Sequence, residues 1–398
     1  GSSKFPKSSR FGFFPSVSAG WQIAQERFMN STRHWLDGLK LRASYGVIGN
    51  QNINPYTFTP SMSVNNKATS WIIDDTYVTS ISSLPALVSQ NFTWEKVGTI
   101  NVGLDVNLFN NRLSGVFEWY QRNTNGMLAP GVQLPAVVGA SAPYQNTADM
   151  RTRGWELSLN WRDQIGKVGY RIGFNLSDYK SEIIKYDDNA ATKLLSSYYP
   201  GQTLGEIWGY VVDGYYTVDD FVDTSSWQLK EGVTSINGYN VRPGDVKFKN
   251  LRDDDTSTNV ITSGDNTFDN PGDRKVIGNT TPRYQYGINL GMNYAGFDLN
   301  VILQGTGKRD YWISNVLTFP MNGDNFVPLF EGLSDYWMPK DPDNGDWSAV
   351  NPNAKYPRIY GNRGNSGSNL RQSDKYLSDA SYLRIKNITL SYKLPKKW

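Results

Sequence analysis

The residues of this chain whose spacing comes closest to a metal site are five aspartates in one segment, Asp253, Asp254, Asp255, Asp265 and Asp269. Calcium prefers several carboxylate and carbonyl oxygens as ligands, so the segment is a candidate calcium site with Asp253, Asp255 and Asp265 as ligands. The spacing does not fit an EF-hand, because the glycine and the bidentate glutamate of that loop are missing at the required positions. The alternative is a solvated acidic loop, and no other cofactor is expected.

Aromatic side chains form the second group of candidate binding residues. Trp208, Tyr210, Tyr215 and Tyr216 lie close together in the sequence, and Trp337 lies in a later segment. The face of a pyranose ring is apolar and matches an aromatic ring, so these five residues are the predicted ligand contacts. The alternative is that they pack the loops that carry them or stand at a membrane interface, where Trp and Tyr are enriched.

Catalytic chemistry has little support in the sequence. There is no cysteine, which excludes disulfides, zinc-thiolate sites and thiol nucleophiles. The single histidine, His34, stands beside Trp35 in a predicted short turn, and we interpret it as a turn residue. A glycosidase would need two carboxylates about 5–10 Å apart, a separation that acids in long loops do not define. We therefore expect that the protein is not an enzyme.

The composition of the 398 residues limits the class of protein. Charged residues make up 19% and aromatic residues 14%, and much of the remainder is Gly, Asn, Ser and Thr, the residues of turns and polar strand faces. The formal net charge is +3 without a Lys/Arg-rich run, so no nucleic-acid partner is expected. There is no apolar run of about 18 residues, which excludes a transmembrane helix but not a barrel strand of about 9–11 residues.

Alternation of apolar and polar residues predicts the elements that position these candidates. In residues 100–108 every even-numbered residue is Ile, Val or Leu, and the residues between them are Asn, Gly or Asp. Such a pattern is typical of antiparallel strands, and an apolar face with aromatic ends fits lipid outside and water inside. A soluble β-sandwich is the alternative. Strands longer than the usual five or six residues and lightly charged polar faces favour the membrane.

Nine strands are predicted, at 10–25, 39–49, 94–109, 112–124, 151–163, 167–182, 280–294, 297–311 and 379–394. The short connections are 26–38, 110–111, 164–166 and 295–296, and the long connections are about 50–93, 125–150, 183–279 and 312–378. Short periplasmic turns and long external loops are typical of outer-membrane barrels. An odd number of strands then predicts a chain that begins outside the cell and ends in the periplasm.

Several segments resemble the SusC/RagA-type TonB-dependent transporters, in the order in which that family has them. They are 11–21 (FGFFPSVSAGW), 39–46 (LKLRASYG) followed by Gly49-Asn50, 243–248 (PGDVKF) followed by the acidic run, 282–287 (PRYQYG), 297–299 (FDL) with Gln304-Gly305, and 382–392 (YLRIKNITLSY). Any one segment is a weak strand motif, whereas the ordered set is specific and spans nearly the whole chain.

The resemblance implies an all-β fold, a transmembrane antiparallel β-barrel of about 22 strands, of which residues 1–398 would supply about nine. It implies a transporter in a bacterial outer membrane, in contact with lipid and lipopolysaccharide, that imports oligosaccharides or, less often, peptides. The implied partners are an N-terminal plug domain inside the barrel, a SusD-like surface lipoprotein lid and the TonB-ExbB-ExbD energy system. The chain is expected to be the C-terminal barrel portion, without the plug, the TonB box and the last strands.

Charged residues on the polar strand faces are then expected to contact the plug, water or substrate. By alternation these residues are Lys40, Arg42, Glu118, Glu156, Arg162 and Arg171. Two other interpretations stay open. One is a passive porin or adhesin-type barrel, which would lack a plug. The other is a soluble carbohydrate-binding β protein, which would stay in solution without detergent.

Closure of the barrel gives one further prediction. Unpaired strand edges cannot face lipid, because each unsatisfied backbone group costs several kcal/mol there. Nine strands would close only as a small barrel, whose interior is filled by side chains, whereas these polar faces are rich in Gly, Asn and Ser. We therefore predict that strands 10–25 and 379–394 are both edges in this chain and do not pair with each other.

Overall fold

The computed structural model describes residues 1–394 apart from 52, 63, 66–71, 74–75, 78–80, 83–84, 86, 90–91, 253–258, 314–328 and 361–367. Its main element is one antiparallel sheet of nine strands, whose order in space follows their order in the chain. The strands are β1 (Ser16–Gln22), β2 (Leu36–Asn50), β3 (Glu95–Leu108), β4 (Leu113–Pro130), β5 (Tyr144–Ile165), β6 (Val168–Tyr186), β7 (Arg283–Tyr294), β8 (Phe297–Lys308) and β9 (Tyr382–Tyr392).

The nine predicted strands are all confirmed, with changes at their ends. β1 is shorter than predicted, because the chain leaves the sheet and forms a 3₁₀ turn directly after Gln22. β4 and β5 are longer, because their ladder continues past a bulge between Thr124 and Met127. The connection between these two strands is therefore 131–143.

β1 and β9 are the two edges of the sheet, and within the described residues they do not pair with each other. β1 pairs with β2, and β9 pairs with β8. The prediction that the sheet of this chain stays open is thus confirmed. The backbone groups along both edges are available to further strands.

Three of the four connections at one end of the sheet are tight turns, and three of the four at the other end are long. Those at one end are 23–35, 109–112, 166–167 and 295–296, and those at the other end are 51–94, 131–143, 187–282 and 309–381. The tight turns contain Asn110, Asn111 and Gly296 at φ values of 57°, 58° and 89°, a backbone region that asparagine and glycine tolerate well. We call the end with the long connections the long-loop end.

One face of the sheet is apolar across all nine strands. The pairing places one transverse row in register, made of Trp21, Leu41, Leu104, Phe117, Leu157, Leu176, Tyr286, Gly305 and Leu383. Leu41, Phe117 and Leu383 are 39%, 44% and 59% exposed. Water-soluble proteins rarely expose a continuous apolar surface of this extent, so this face indicates the side of the sheet that faces lipid.

The opposite face is polar, and an arginine on it forms ion pairs across three strands. Arg42 of β2 lies across Gly103 of β3 and contacts Glu118 of β4. The Arg42 Nε also lies 3.0 Å from Oδ1 of Asp105. A Cβ atom on Gly103 would lie 2.7 Å from the Arg42 Cζ, so the absence of a side chain at Gly103 creates the space that the guanidinium occupies.

A second arginine that lies across a glycine of the neighbouring strand is found farther along the sheet. Arg171 of β6 lies across Gly291 of β7, and its Nη2 is 3.3 Å from Oδ1 of Asp298 on β8. A Cβ atom on Gly291 would collide with the Arg171 side chain. The remaining charged residues predicted on this face also lie on it by register, namely Lys40, Glu156 and Arg162.

Short elements lie outside the nine-stranded sheet, most of them in the long connections. The two-stranded pairs are Val64–Asn65 with Ile81–Ser82, Ile72–Ile73 with Thr76–Tyr77, Glu206–Tyr210 with Arg274–Asn279, Val212–Tyr215 with Val246–Phe248, Ser235–Ile236 with Val260–Ile261, Asp310–Trp312 with Leu377–Asp379, and Pro339–Asp341 with Asp346–Ala349. The 3₁₀ helices are Lys7–Ser9, Ile23–Gln25, Arg27–Thr32, Ala136–Val138, Asp187–Asn189, Val218–Asp220, Glu331–Leu333, Pro342–Asn344 and Asp374–Tyr376. In the part of the chain that the structure describes, no helix is long and apolar enough to cross a bilayer.

Candidate functional site

The two longest connections, 187–282 and 309–381, pack together at the long-loop end, and we call their described residues the loop module. The core of the first connection is a cluster of buried residues, Tyr210, Tyr216, Phe221, Ile236, Val241, Val246, Phe248 and Ile261. The second connection contributes a smaller cluster of Leu333, Tyr356 and Tyr376. Loops of this length are uncommon unless they are functional or form structure of their own, and these buried clusters provide that structure.

Asp245 joins the two connections inside the loop module. Its carboxylate accepts hydrogen bonds from the Tyr360 hydroxyl at 2.6 Å and from Asn369 Nδ2 at 2.9 Å. Asn369 in turn accepts a hydrogen bond from the backbone N–H of Val246 at 2.8 Å. Burial raises the pKa of the Asp245 carboxyl, and these hydrogen bonds oppose the rise. Because a buried polar network stabilises only when its groups are paired, this network fixes how the two connections sit against each other.

Aromatic rings and an arginine form a second contact between the two connections. Trp227 packs edge-on against Trp347, with ring centroids 5.1 Å apart. The Arg358 guanidinium lies over the rings of Trp347 and Tyr360, at 5.3 Å and 4.5 Å from their centroids. Cation–π contacts contribute about 0.5–2 kcal/mol each, so this cluster adds to the joint made by Asp245.

Trp208, the first of the predicted ligand residues, is half-buried and held by polar and aromatic contacts. Its Nε1 donates to Oε1 of Glu206 at 2.8 Å, and its ring meets Phe268 edge-on with centroids 6.2 Å apart. The same Glu206 carboxylate accepts a hydrogen bond from the Tyr199 hydroxyl. Burial and this hydrogen bond raise the pKa of Tyr199. Trp208 is therefore fixed in place with part of its surface accessible.

The other four predicted ligand residues are packed into the loop module. Tyr210, Tyr216 and Trp337 are 7%, 0% and 2% exposed. Tyr215 is half-buried, and its hydroxyl donates to the carbonyl oxygen of Ala354 at 3.0 Å. These rings contact protein, which agrees with the packing interpretation given for them from sequence. Ligand binding by the five aromatic residues stays a prediction.

The predicted calcium ligands are only partly within the described residues. Asp253 and Asp255 lie outside them. Asp265 is exposed and accepts a hydrogen bond from Nδ2 of Asn270 at 3.0 Å. Within the described ranges, no group of three or more His, Cys, Asp or Glu residues is arranged to hold a metal ion. The calcium site stays a prediction, and His34 lies between β1 and β2 at the end of the sheet away from the loop module.

Lys375 gives the loop module a pH dependence. Its ammonium lies 4.5 Å from the centroid of the Tyr215 ring. Burial lowers the pKa of Lys375 from 10.5 to about 8, although Asp374 and Asp335 oppose the shift. Between these two pH values the unfolded chain binds more protons at Lys375 than the folded module does, so the contribution of Lys375 to the stability of the module rises with pH in that window. Tyr215 and Tyr376 have raised pKa values and stay neutral there.

Hydrogen exchange of the full-length protein, corrected for the pH dependence of the chemical exchange rate, measures this effect. We expect stronger protection of residues 211–217 at about pH 9.5 than at about pH 7.5. Lys375→Met keeps the apolar stem and is expected to remove the difference, whereas Lys230→Met, at an exposed position of the same module, should retain it. Equal protection of the unsubstituted protein at both pH values would contradict the assignment.

Asp245 and Asn369, which join the two connections, are residues of the loop module that sequence reasoning missed. Asp245 lies in the segment 243–248 that carries part of the family resemblance, but the two residues are 124 positions apart. No local signal was available, because Asp245 stands between the charged residues Arg242 and Lys247, as an acid at a solvated turn also would. Its burial comes from the contact with Asn369, and the sequence does not identify that partner.

Comparison with known proteins matches the whole chain. Residues 1–398 match the family described as TonB dependent receptor-like, beta-barrel. TonB-dependent receptor P3 of Formosa agariphila is 28% identical over 416 residues, which cover 100% of this chain and 36% of that protein. TonB-dependent receptor SusC of Bacteroides thetaiotaomicron is 27% identical over 409 residues, which also cover 100% and 36%. The chain thus spans about a third of the length of these relatives.

Solved structures show the same fold. A chain of the RagAB peptide importer in its closed-closed state is similar with a TM-score of 0.71 and 24% identity, over 99% of this chain and 38% of that chain. A chain of the RagAB peptide transporter is similar with a TM-score of 0.70 and 23% identity, over the same shares. The fold of this chain is therefore a known one. Because the family match covers every residue, this chain belongs to the TonB dependent receptor-like β-barrel family.

Proposed function

We propose that this chain forms part of the barrel of a SusC-like TonB-dependent transporter in a bacterial outer membrane. The transporter imports oligosaccharides or, as the alternative substrate class, peptides, and it is not an enzyme. The observation that carries the proposal is the two-sided sheet, which is apolar on one face across nine strands and polar on the other. A wall of this kind separates lipid from a water-filled interior.

The proposed partners correspond to four surfaces of the chain, namely the two strand edges, the apolar face, the polar face and the loop module. Further strands of the same protein pair with the edges β1 and β9, and lipid and lipopolysaccharide cover the apolar face. A plug domain contacts the polar face near Arg42 and Arg171 and receives energy from TonB-ExbB-ExbD. A SusD-like lipoprotein covers the loop module. The similar proteins, which include SusC and a chain of the RagAB peptide importer, support this class of system.

The loop module is the proposed place of substrate contact. Of the five aromatic residues predicted to bind ligand, Trp208 and Tyr215 keep part of their surface accessible, so we propose Trp208 as the first ring to contact a sugar. Calcium bound by the acidic segment at Asp253, Asp255 and Asp265 is a proposal of the same kind.

Uptake of labelled oligosaccharides and peptides by the producing bacterium tests the proposed function. Deletion of the gene is expected to abolish uptake of one substrate class, and deletion of TonB is expected to abolish the same uptake. In the purified protein, Trp208→Ala should weaken binding of that substrate roughly three- to tenfold, as loss of a ring contact of about 1 kcal/mol predicts. Trp35→Ala is the matched control, because Trp35 is 40% exposed at the opposite end of the sheet.

The alternatives give different results in the same experiment. Uptake that survives loss of TonB would show a passive porin. A protein that fractionates with the soluble proteins instead of the outer membrane would show a carbohydrate-binding β protein. Unchanged affinity of the Trp208→Ala protein would assign Trp208 to packing and would leave the transport proposal in place.

A further inference from the structure

A polar cavity of about 530 Å³ lies between the two connections of the loop module. The first connection lines it with residues 261–264 and the ring of Tyr210, and the second connection lines it with Arg371 and Gln372. Hydroxyl, amide and guanidinium groups thus surround the space. Binding sites commonly lie where two structural units meet and combine an apolar wall with a few convergent polar groups. This cavity has both properties.

Arg371 is held in the cavity by two aromatic rings. Its Cζ lies 5.2 Å from the centroid of Tyr210 and 5.3 Å from the centroid of Tyr239. Ring contacts use the faces of the planar guanidinium and leave the N–H donors along its edge. Among the described residues, the side chain of Arg371 makes these ring contacts and no hydrogen bond or ion pair. Its donors are therefore free to bind a group that enters the cavity.

A second arginine adds positive charge at the same place. Arg274 lies opposite Tyr210 in the strand pair of the first connection. Its Nε donates to the carbonyl oxygen of Pro271 at 3.0 Å, and its Nη2 donates to the carbonyl oxygen of Ser263 at 2.8 Å. Burial and the nearby charge of Arg371 lower the pKa of Arg274. The positive charges of Arg274 and Arg371 repel each other, and an anion that binds between or beside them would reduce this repulsion.

Arg358 and Arg371 have similar ring contacts but differ in the carboxylates near them. It also lies on two aromatic rings of the loop module, those of Trp347 and Tyr360. However, Arg358 is close enough to Asp245 for its charge to favour the ionised form of that carboxyl. Asp245 thus offsets part of the charge of Arg358, whose Nη1 is buried without a hydrogen-bond partner and is closed to an entering group. In the described part of the module, neither Arg371 nor Arg274 forms an ion pair with a carboxylate.

We propose that this cavity binds an oxyanion group of the imported substrate, a carboxylate or a sulfate, with Arg371 as its principal hydrogen-bond donor. The proposal rests on the transport function proposed above and adds to it the chemical class of the substrate, which carries negative charge. The edge of a guanidinium presents two parallel donors that match two oxygens of such a group, and charge-assisted hydrogen bonds are roughly twice as strong as neutral ones. The tyrosine rings keep the guanidinium in position before the anion arrives.

Chemical modification of arginine in the purified full-length protein tests anion binding without measuring transport. Phenylglyoxal is expected to modify Arg371, and mass spectrometry of the digested protein gives the rate. Sodium sulfate or sodium acetate should slow this reaction about threefold when present at about twice the dissociation constant, relative to sodium chloride at equal ionic strength. Arg358 is the internal control, and its rate should not depend on the anion. Stronger protection by acetate assigns the site to carboxylates, and stronger protection by sulfate assigns it to sulfate esters.

A second measurement links the anion to a substrate-like molecule. Trigalacturonate should bind about tenfold more tightly than its neutral methyl ester, or a sulfated disaccharide more tightly than its desulfated form if sulfate protects better. Arg371→Gln should remove the preference, whereas Lys230→Gln, which removes an exposed charge of the same module, should keep it. If the glutamine variant does not assemble, Arg371→Lys keeps the charge without the planar fork and should weaken the preference.

The outcomes separate this proposal from the proposed function. If neither sulfate nor acetate protects Arg371, the anion site is wrong even in a protein that transports. If an anion protects Arg371 but neither charged saccharide is preferred, the cavity holds an adventitious ion only, and the proposal is overturned. A protein that prefers the charged saccharide through Arg371 but shows no TonB-dependent uptake would keep the binding site and contradict transport.

Discussion

Replacement of Leu104 by arginine is expected to destabilise the membrane-inserted barrel by about 2–4 kcal/mol. Leu104 lies near the middle of β3, in the apolar row between Leu41 and Phe117. The guanidinium would face lipid at a depth where a charge is poorly hydrated, and no acid is paired with that position in the row. Urea titration of the full-length protein in lipid vesicles, followed by tryptophan fluorescence, measures the change in the free energy of unfolding.

Asn101→Arg is the matched control on the same strand. Asn101 lies on the polar face, and its Nδ2 is 3.4 Å from Oε2 of Glu118. An arginine at this position meets a carboxylate and water, so the free energy of unfolding should change by no more than about 0.5 kcal/mol. Equal losses for the Leu104 and Asn101 variants would refute a barrel with lipid on one face and water on the other.

Asp245→Ala is expected to separate the two connections of the loop module while the nine-stranded sheet stays assembled. The substitution leaves the Tyr360 hydroxyl and the Asn369 amide without their acceptor in a buried site, at a cost of about 1–3 kcal/mol for each group. Removal of a carboxylate whose pKa is raised by burial offsets part of this cost. Local opening exposes the backbone on both sides of the joint, so trypsin should cleave after Arg242 or Arg358 at least about tenfold faster.

Asp219→Ala makes the same change at an exposed position of the same connection. It should leave the cleavage rate unchanged, because surface substitutions away from special features alter stability by about 0.5 kcal/mol or less. If Asp245→Ala and Asp219→Ala are cleaved at the same rate, Asp245 does not hold the connections together. The heat-dependent shift of the folded barrel on electrophoresis checks that the sheet itself has assembled in both proteins.

The sheet could be predicted from sequence because its determinants are local. The alternation in residues 100–108 fixes which side chains face lipid, since a slip of one residue would move Leu104 to the polar face. Asn110-Asn111 and Ala295-Gly296 mark turns because they follow long alternating runs and contain asparagine or glycine, which adopt positive φ more readily than other residues. The strand order follows from these two kinds of signal, and the two open edges follow from polar faces rich in Gly, Asn and Ser, which do not suit the filled interior of a small barrel. The ends of β4 and β5 could not be predicted, because the bulge near Met127 interrupts the apolar/polar alternation. The residues beyond the bulge resemble a loop in their sequence.

The loop module could not be predicted because its contacts join residues that are distant in the chain. The bond between Asp245 and Asn369 spans 124 positions, and neither residue belongs to a periodic pattern. Tyr216 and Trp337 illustrate a second limit. A large aromatic ring is equally suited to a loop core and to a ligand contact, and the sequence does not show which of its faces the protein itself covers. Arg371 was not identified from the sequence either. Its properties depend on contacts with Tyr210 and Tyr239 and on the lack of a carboxylate partner among the described residues, and all of these arise only in the folded chain.

The arginines that cross glycines also determine how the strands are aligned. A slip of two residues between β2 and β3 keeps every apolar side chain on the lipid side, so hydrophobicity alone does not oppose it. That slip would place Arg42 opposite Asn101 or Asp105, whose side chains fill the gap that Gly103 leaves open. The arginine would then lose its position next to Glu118 in the same step. Gly103 therefore favours the observed register of β2 and β3 over registers that keep the same residues on the lipid-facing side. Gly291 does the same for β6 and β7 while the barrel assembles.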